Sequence, residues 1–104
     1  MISTNVTIRI YSDDIRALCI RNQYYTCGDT RAYEELLNHV SSLEDIPSDD
    51  LTNEILAIAI NIYEHSDVEE QVNRYGVSKE DVFNSIFFEV GQCVRFFSDS
   101  TIRL

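Results

Sequence analysis

The 104-residue chain is predicted to fold as a mostly α-helical domain. Four or five helices form one compact unit over residues 1–104, with a short β pair from the N- and C-termini. Three observations predict this. The segment Leu51–Tyr63 is apolar around most of a helical circumference. At about 100° per residue, Leu51, Ile55, Leu56, Ala59, Ile62 and Tyr63 fill one broad arc with Ile58 at its margin. Ala57 and Ile60 add apolar surface outside that arc. Two further segments confine their apolar residues to arcs of about 140°. Finally, Val6, Ile8 and Ile10 alternate with Thr7, Arg9 and Tyr11, the period of a half-buried strand.

Each element has a local reason. Ser12 reads as an N-cap, with Asp13 and Asp14 in a first turn where the helix dipole favours negative charge. Ile15, Leu18 and Cys19 make a narrow apolar stripe ending near Asn22. A connector follows from Tyr24 to Asp29, with Gly28 suited to a turn. Asp29 or Thr30 opens a second helix carrying Ala32, Tyr33, Leu36, Leu37, Val40 and Leu43, and Pro47 prevents its continuation. Ser48, with Asp49 and Asp50, starts the central helix. So little of that helix is polar that it is expected to be covered on more than one side.

Ser66 with Glu69 reads as a capping box opening a short helix that carries Val68, Val72 and Tyr75 and stops at Gly76. Ser78 with Asp81 starts a long last helix. Its arc holds Val82, Phe83, Ile86, Phe87, Val90, Cys93, Val94 and Phe97. Gly91 and Phe88 lie opposite, so Phe88 is expected to find a second contact. The alternating Ile102-Arg103-Leu104 tail is favoured over a second copy as the partner of the first strand.

Composition narrows the function classes. No run of 18 apolar residues exists to span a membrane, and no secretory signal is visible. Cys19, Cys27 and Cys93 are odd in number and unrelated in spacing, which points to a reducing cytoplasm. The net charge is −10. Its placement says more than its size. No Lys or Arg occurs between Arg31 and Arg74, whereas that interval holds Glu34, Glu35, Glu44, Asp45, Asp49, Asp50, Glu54, Glu64, Asp67, Glu69 and Glu70. A field of that sign repels nucleic acid and attracts basic surfaces.

Catalytic patterns are weighed against simpler roles. Asp13/Asp14, Asp49/Asp50 and Glu69/Glu70 all sit in first turns, where adjacent side chains diverge by about 100° and complement the dipole. His39 and His65 lack the short spacing of a zinc site, and the Glu-x-x-His pattern of di-iron bundles is absent. Cys27, beside Gly28 and ahead of a helix start, is the one cysteine placed to be reactive. No cofactor, metal or catalytic centre is expected, and the chain is read as a non-enzyme. The stretch Val72 to Val82 resembles the turn of a helix-turn-helix. Its second helix, however, would offer Lys79, Glu80, Asp81, Asn84 and Glu89, a net negative face for a phosphate groove.

Ile15-Arg16-Ala17-Leu18-Cys19-Ile20, Tyr24-Tyr25-Thr26-Cys27-Gly28 and Tyr33-Glu34-Glu35-Leu36-Leu37 resemble the front half of short proteins carried by phages and mobile elements of Gram-positive bacteria. The likeness covers roughly residues 15–37 and carries no catalytic role with it. It implies a small acidic protein that binds a host protein, inhibition of a nuclease such as a CRISPR effector being one such task. The expected function is therefore a protein-binding module that competes with nucleic acid for a basic groove, with no direct nucleic-acid or membrane partner. The expected contacts are Glu44, Asp45, Asp49, Asp50, Glu54, Glu64, Asp67, Glu69 and Glu70. At about 1.5 Å per residue, the two ends of the central helix lie about 20 Å apart, giving two patches unless neighbouring helices bridge them. The alternatives are a structural or regulatory homo-oligomer, such as a homodimer through Phe88, Phe96 and the N-terminal strand, and a helix-turn-helix-like regulator.

Overall fold

The computed structural model describes residues 6–24, 30–43 and 47–98. Among these, the order is β1 (Val6–Ile10), α1 (Ser12–Arg21), α2 (Arg31–Ser41), α3 (Ser48–His65), α4 (Val68–Tyr75), α5 (Lys79–Gln92) and β2 (Val94–Ser98). Five helices and one antiparallel β pair bear out the fold class that the periodicities predict.

The β pair joins the two terminal regions, but not with the expected partner. β1 runs antiparallel to β2, with Val6 opposite Ser98 and Ile10 opposite Val94. The tail at 102–104 lies outside the described residues. The last helix was expected to continue through Phe97; it ends at Gln92. The reason is the pairing that β1 offers: a lone strand needs its backbone groups paired, and Val94, Phe96 and Phe97 are β-branched or aromatic residues that suit a strand. As a strand, β2 still delivers Val94 to the core beside Ile8 and Ile10. Arg95, on the outward side, reaches Asp14 at 3.2 Å and so ties β2 to α1.

One hydrophobic cluster holds the described elements together. α1 contributes Ile15, Leu18 and Cys19; α2 contributes Leu36 and Val40; α3 contributes Ile58, Ala59 and Ile62; α5 contributes Val82, Ile86 and Val90. α3 packs most extensively against α5, with Tyr63 meeting Phe83 edge to face at 5.5 Å between ring centres. Tyr24, just after α1, adds a polar tie. Its hydroxyl donates to Asn61 Oδ1 at 2.6 Å, and its ring stacks on His65 at 4.7 Å.

The central helix is less enclosed than its composition suggested. Ile58 lies in the core instead of at the margin, whereas Leu56, Ala57 and Ile60 are exposed. α3 therefore buries one face against α5 and the rest of the core, and its second apolar strip faces solvent. Phe88, expected to find a second contact, is likewise 64% exposed.

The caps explain where the helices start and stop. Asp13 and Asp14 occupy the first turn of α1, but Tyr11 is the N-cap residue, not Ser12. At α4 the expected capping box of Ser66 and Glu69 is replaced. Asp67 is the N-cap and accepts from the Glu70 backbone N–H at 3.1 Å, while the Ser66 hydroxyl donates back to the Ile62 carbonyl. A carboxylate one residue later in the chain simply caps better than a hydroxyl already engaged. At α5 the box of Ser78 and Asp81 is present in both directions. Accepting the Ser78 N–H holds the Asp81 carboxyl below its usual range.

Gly76 ends α4 with φ +64°, donating its N–H to the Val72 carbonyl. No side chain blocks the space a methyl would need there, so the cost of Gly76→Ala is conformational alone. Urea denaturation is expected to show a loss of about 1 kcal/mol, the left-handed penalty of a non-glycine residue. An unchanged midpoint would contradict it.

Candidate functional site

The expected contact residues do not form one cluster, and the helical geometry sorts them. Asp50, Glu54 and Glu64 fall on α3 within about 80° of one another, with Ala57 and Asn61 in the same arc. The arc runs about 21 Å along the helix axis from Asp50 to Glu64, on the side turned away from Ile55, Ala59 and Ile62. The two ends of the helix thus share a face, with Glu54 lying between them. Asp49, exposed in the first turn, lies outside that arc. Asp67, Glu69 and Glu70 belong to the separate helix α4. Glu44 and Asp45 lie outside the described residues.

Several of these carboxylates already have partners. Glu54 takes a 3.1 Å contact from His39 Nε2, which joins α3 to α2 and forms an ion pair when the imidazole is protonated. Asp67 is occupied as a cap. Glu70 pairs with Arg74 one turn on. Arg21 and Arg95, from the terminal segments, are engaged by Glu89 at 2.9 Å and by Asp14.

A groove of about 240 Å³ between α2 and α3 borders the acidic face. Ala32, Glu35, Leu36, His39, Ala57, Ile58 and Asn61 line it. Glu35 and His39 were not among the expected contacts. Their spacing of four residues put both on one side of α2, the signal that would have found them. The groove brings an acid and an imidazole together but has no Ser, Thr or Cys among its lining residues to act as a nucleophile.

A second cleft, about 330 Å³, lies between the end of α1, α4 and α5. Its charges are matched within its walls. Arg21 holds Glu89, Arg74 holds Glu70 and Asp81 caps α5. Among the described residues, no group of three His, Cys, Asp or Glu side chains is placed to hold a metal ion. Cys19 and Cys93 are free and buried. Burial pushes the Cys19 thiol up to about 12 and raises that of Cys93 as well, the reverse of nucleophile activation. Cys27 lies outside the described residues.

α4, the turn at Gly76 and α5 have the helix-turn-helix order. The exposed side of α5 carries Lys79, Glu80, Asp81, Asn84, Ser85, Phe88 and Gln92. Two acids against one base give a phosphate backbone little to bind. Among the described residues, no helix is long and apolar enough to cross a membrane. Comparison with known protein families, characterised proteins and solved structures finds no match for this chain.

Proposed function

We propose that the chain is a protein-binding module whose acidic α3 face, extended by Glu35 on α2, occupies a basic groove on a nucleic-acid-handling protein and blocks it. A CRISPR effector or another nuclease of a bacterial host is the partner class that the resemblance to mobile-element proteins implies. The observation that carries the reading is the alignment of Asp50, Glu54 and Glu64 along one side of α3, with Asp50 and Glu64 exposed and Glu54 half-buried beside His39, inside an interval without a single Lys or Arg. Binding, not chemistry, is the mode of action.

Magnitudes shape the mechanism. Three carboxylates along about 21 Å compare with roughly six phosphates per strand over the same length of duplex. The face therefore imitates about half the charge of one strand. It steers the encounter and fixes orientation, while the bulk of the helices excludes the nucleic acid. The salt dependence should be correspondingly mild. Three neutralised charges lose at most about 40-fold in affinity between about 50 and 200 mM salt, against the thousand-fold or more of a full duplex contact.

The test is capture from a nuclease-treated host lysate by the wild-type chain and by a triple variant, Asp50→Asn, Glu54→Gln and Glu64→Gln. The wild type is expected to retain a basic nucleic-acid-handling protein at low salt and less of it at moderate salt. The variant should lose it. No such protein captured, or equal capture by the variant, would end the proposal.

A further inference from the structure

We propose that the partner meets α3 with an amphipathic helix, apolar along the middle of its docking side and carrying Lys or Arg at both ends of it. Resting on the reading of α3 as the binding face, this partner class follows from what lies between the acids. An arc of about 120° on α3 is exposed from Asp49 to Glu64. Leu56, Ala57 and Ile60 fill its middle, with Leu56 37% and Ile60 41% exposed. Asp49 and Asp50 close the arc about 10 Å toward the N-terminus, and Glu64 closes it about 6 Å beyond Ile60. Asn53, which is uncharged, completes it.

Shape selects a helix as the occupant. Leu56 and Ile60 stand four residues apart and form a ridge of the kind that packs between the ridges of a second helix. The face is straight and about 21 Å long from Asp50 to Glu64, the length of about 14 helical residues. Charge selects the ends. α3 carries no Lys or Arg, and across the adjoining groove α2 adds the acid Glu35, with His39 turned to Glu54. Cations about 14 positions apart on the docking helix therefore meet Asp49 or Asp50 at one end and Glu64 at the other. A nucleic acid or an anionic lipid surface would set its phosphates against these same carboxylates. The division of labour follows from the magnitudes. Exposed ion pairs are screened by salt and steer more than they hold, whereas apolar surface removed from water holds with little regard to salt.

The probe is a labelled, alanine-rich helical peptide of about 18 residues, with four Leu along one face and two Lys at each end of that face, about 14 positions apart. Fluorescence anisotropy at about 50 and 200 mM salt reads its binding to the whole chain. The wild type is expected to bind it in the micromolar range, less tightly at the higher salt, and to ignore the same peptide with Glu in place of Lys. Leu56→Gln with Ile60→Gln should weaken binding about tenfold or more and leave the salt dependence as it was. Both sites are exposed, so the helical circular dichroism should be retained. Neutralising Asp49→Asn, Asp50→Asn and Glu64→Gln should instead flatten the salt dependence. No binding of the Lys peptide, equal binding of the Glu peptide, or full binding by the double Gln variant would each overturn the proposal. The double Gln variant keeps every carboxylate. If it still takes the host protein as well as the wild type does, the apolar strip is refuted and the acidic face is not.

Discussion

Replacing Ile62 by alanine is expected to cost about 3–4 kcal/mol, whereas the same change at Ile60 should cost less than about 1. The two residues are neighbours on one helix of one composition, and burial alone separates them. Ile62 is fully buried in the core, and Ile60 is 41% exposed. Truncating Ile62 removes apolar contacts and leaves a cavity that the surrounding isoleucines, held in their own packing, fill only in part. At Ile60 water takes the vacated space, and the better helix propensity of alanine offsets part of the lost burial. For a chain of this length, with a total stability of roughly 5–15 kcal/mol, the first variant is near the edge of folding. Urea midpoints at constant slope measure both changes. Equal losses at the two sites would mean that α3 is enclosed on all sides after all.

Alkaline pH is expected to destabilise the chain through Cys19. Burial raises its thiol from 9.0 to about 12 in the fold. Below the ordinary value the thiol is protonated in both states, and folding costs nothing extra. Above it the unfolded chain ionises while the folded chain holds its proton, so stability falls from about pH 9 until the folded value is reached. Near about pH 11 the imbalance amounts to roughly 2–3 kcal/mol. Tyr24 acts in the same direction. Its hydroxyl is pushed from 10.0 to about 12, chiefly by burial and further by the neighbouring Cys19. Denaturant titrations at neutral pH and near pH 11 check the sign. The wild type should lose markedly more stability between them than Cys19→Ala, which has no thiol to ionise. Parallel losses in both chains would show that the thiol is not the group responsible.

The parts of this fold that were legible are those set by local rules. The Ser78–Asp81 box and the Gly76 stop follow from residue type and spacing and stand where the sequence placed them, and the arcs of α2 and α5 hold as far as Ser41 and Gln92, where the two helices end, short of Leu43 and of Val94 and Phe97. What was not legible depended on competition between elements. Val94 and Phe97 continue the helical arc of α5 faithfully, yet β1 offers backbone pairing that a longer helix would have left unmade. Ser66 and Asp67 are both good caps, and only the Ile62 carbonyl, one turn back, decides between them. The exposure of Ile60 and Phe88 could not be read from apolarity, because a sequence records how greasy a face is and not whether a neighbour reaches it.

The acidic surface divides in the same way. Charge counting found the base-free interval, and helical periodicity aligns Asp50, Glu54 and Glu64. Neither reveals that His39 claims Glu54, since that contact joins two helices whose relative placement the core decides. Nor does the count of acids separate free carboxylates from those spent as caps, such as Asp67.

Displacement of duplex DNA from the captured host protein tests the central claim most directly. With labelled duplex prebound to that protein, the wild-type chain is expected to release the label as its concentration rises. The Asp50→Asn, Glu54→Gln, Glu64→Gln variant should need at least tenfold more chain to do so. A duplex that stays bound under saturating wild-type chain, or one released equally well by the neutralised variant, would contradict an acidic face that competes for a basic groove.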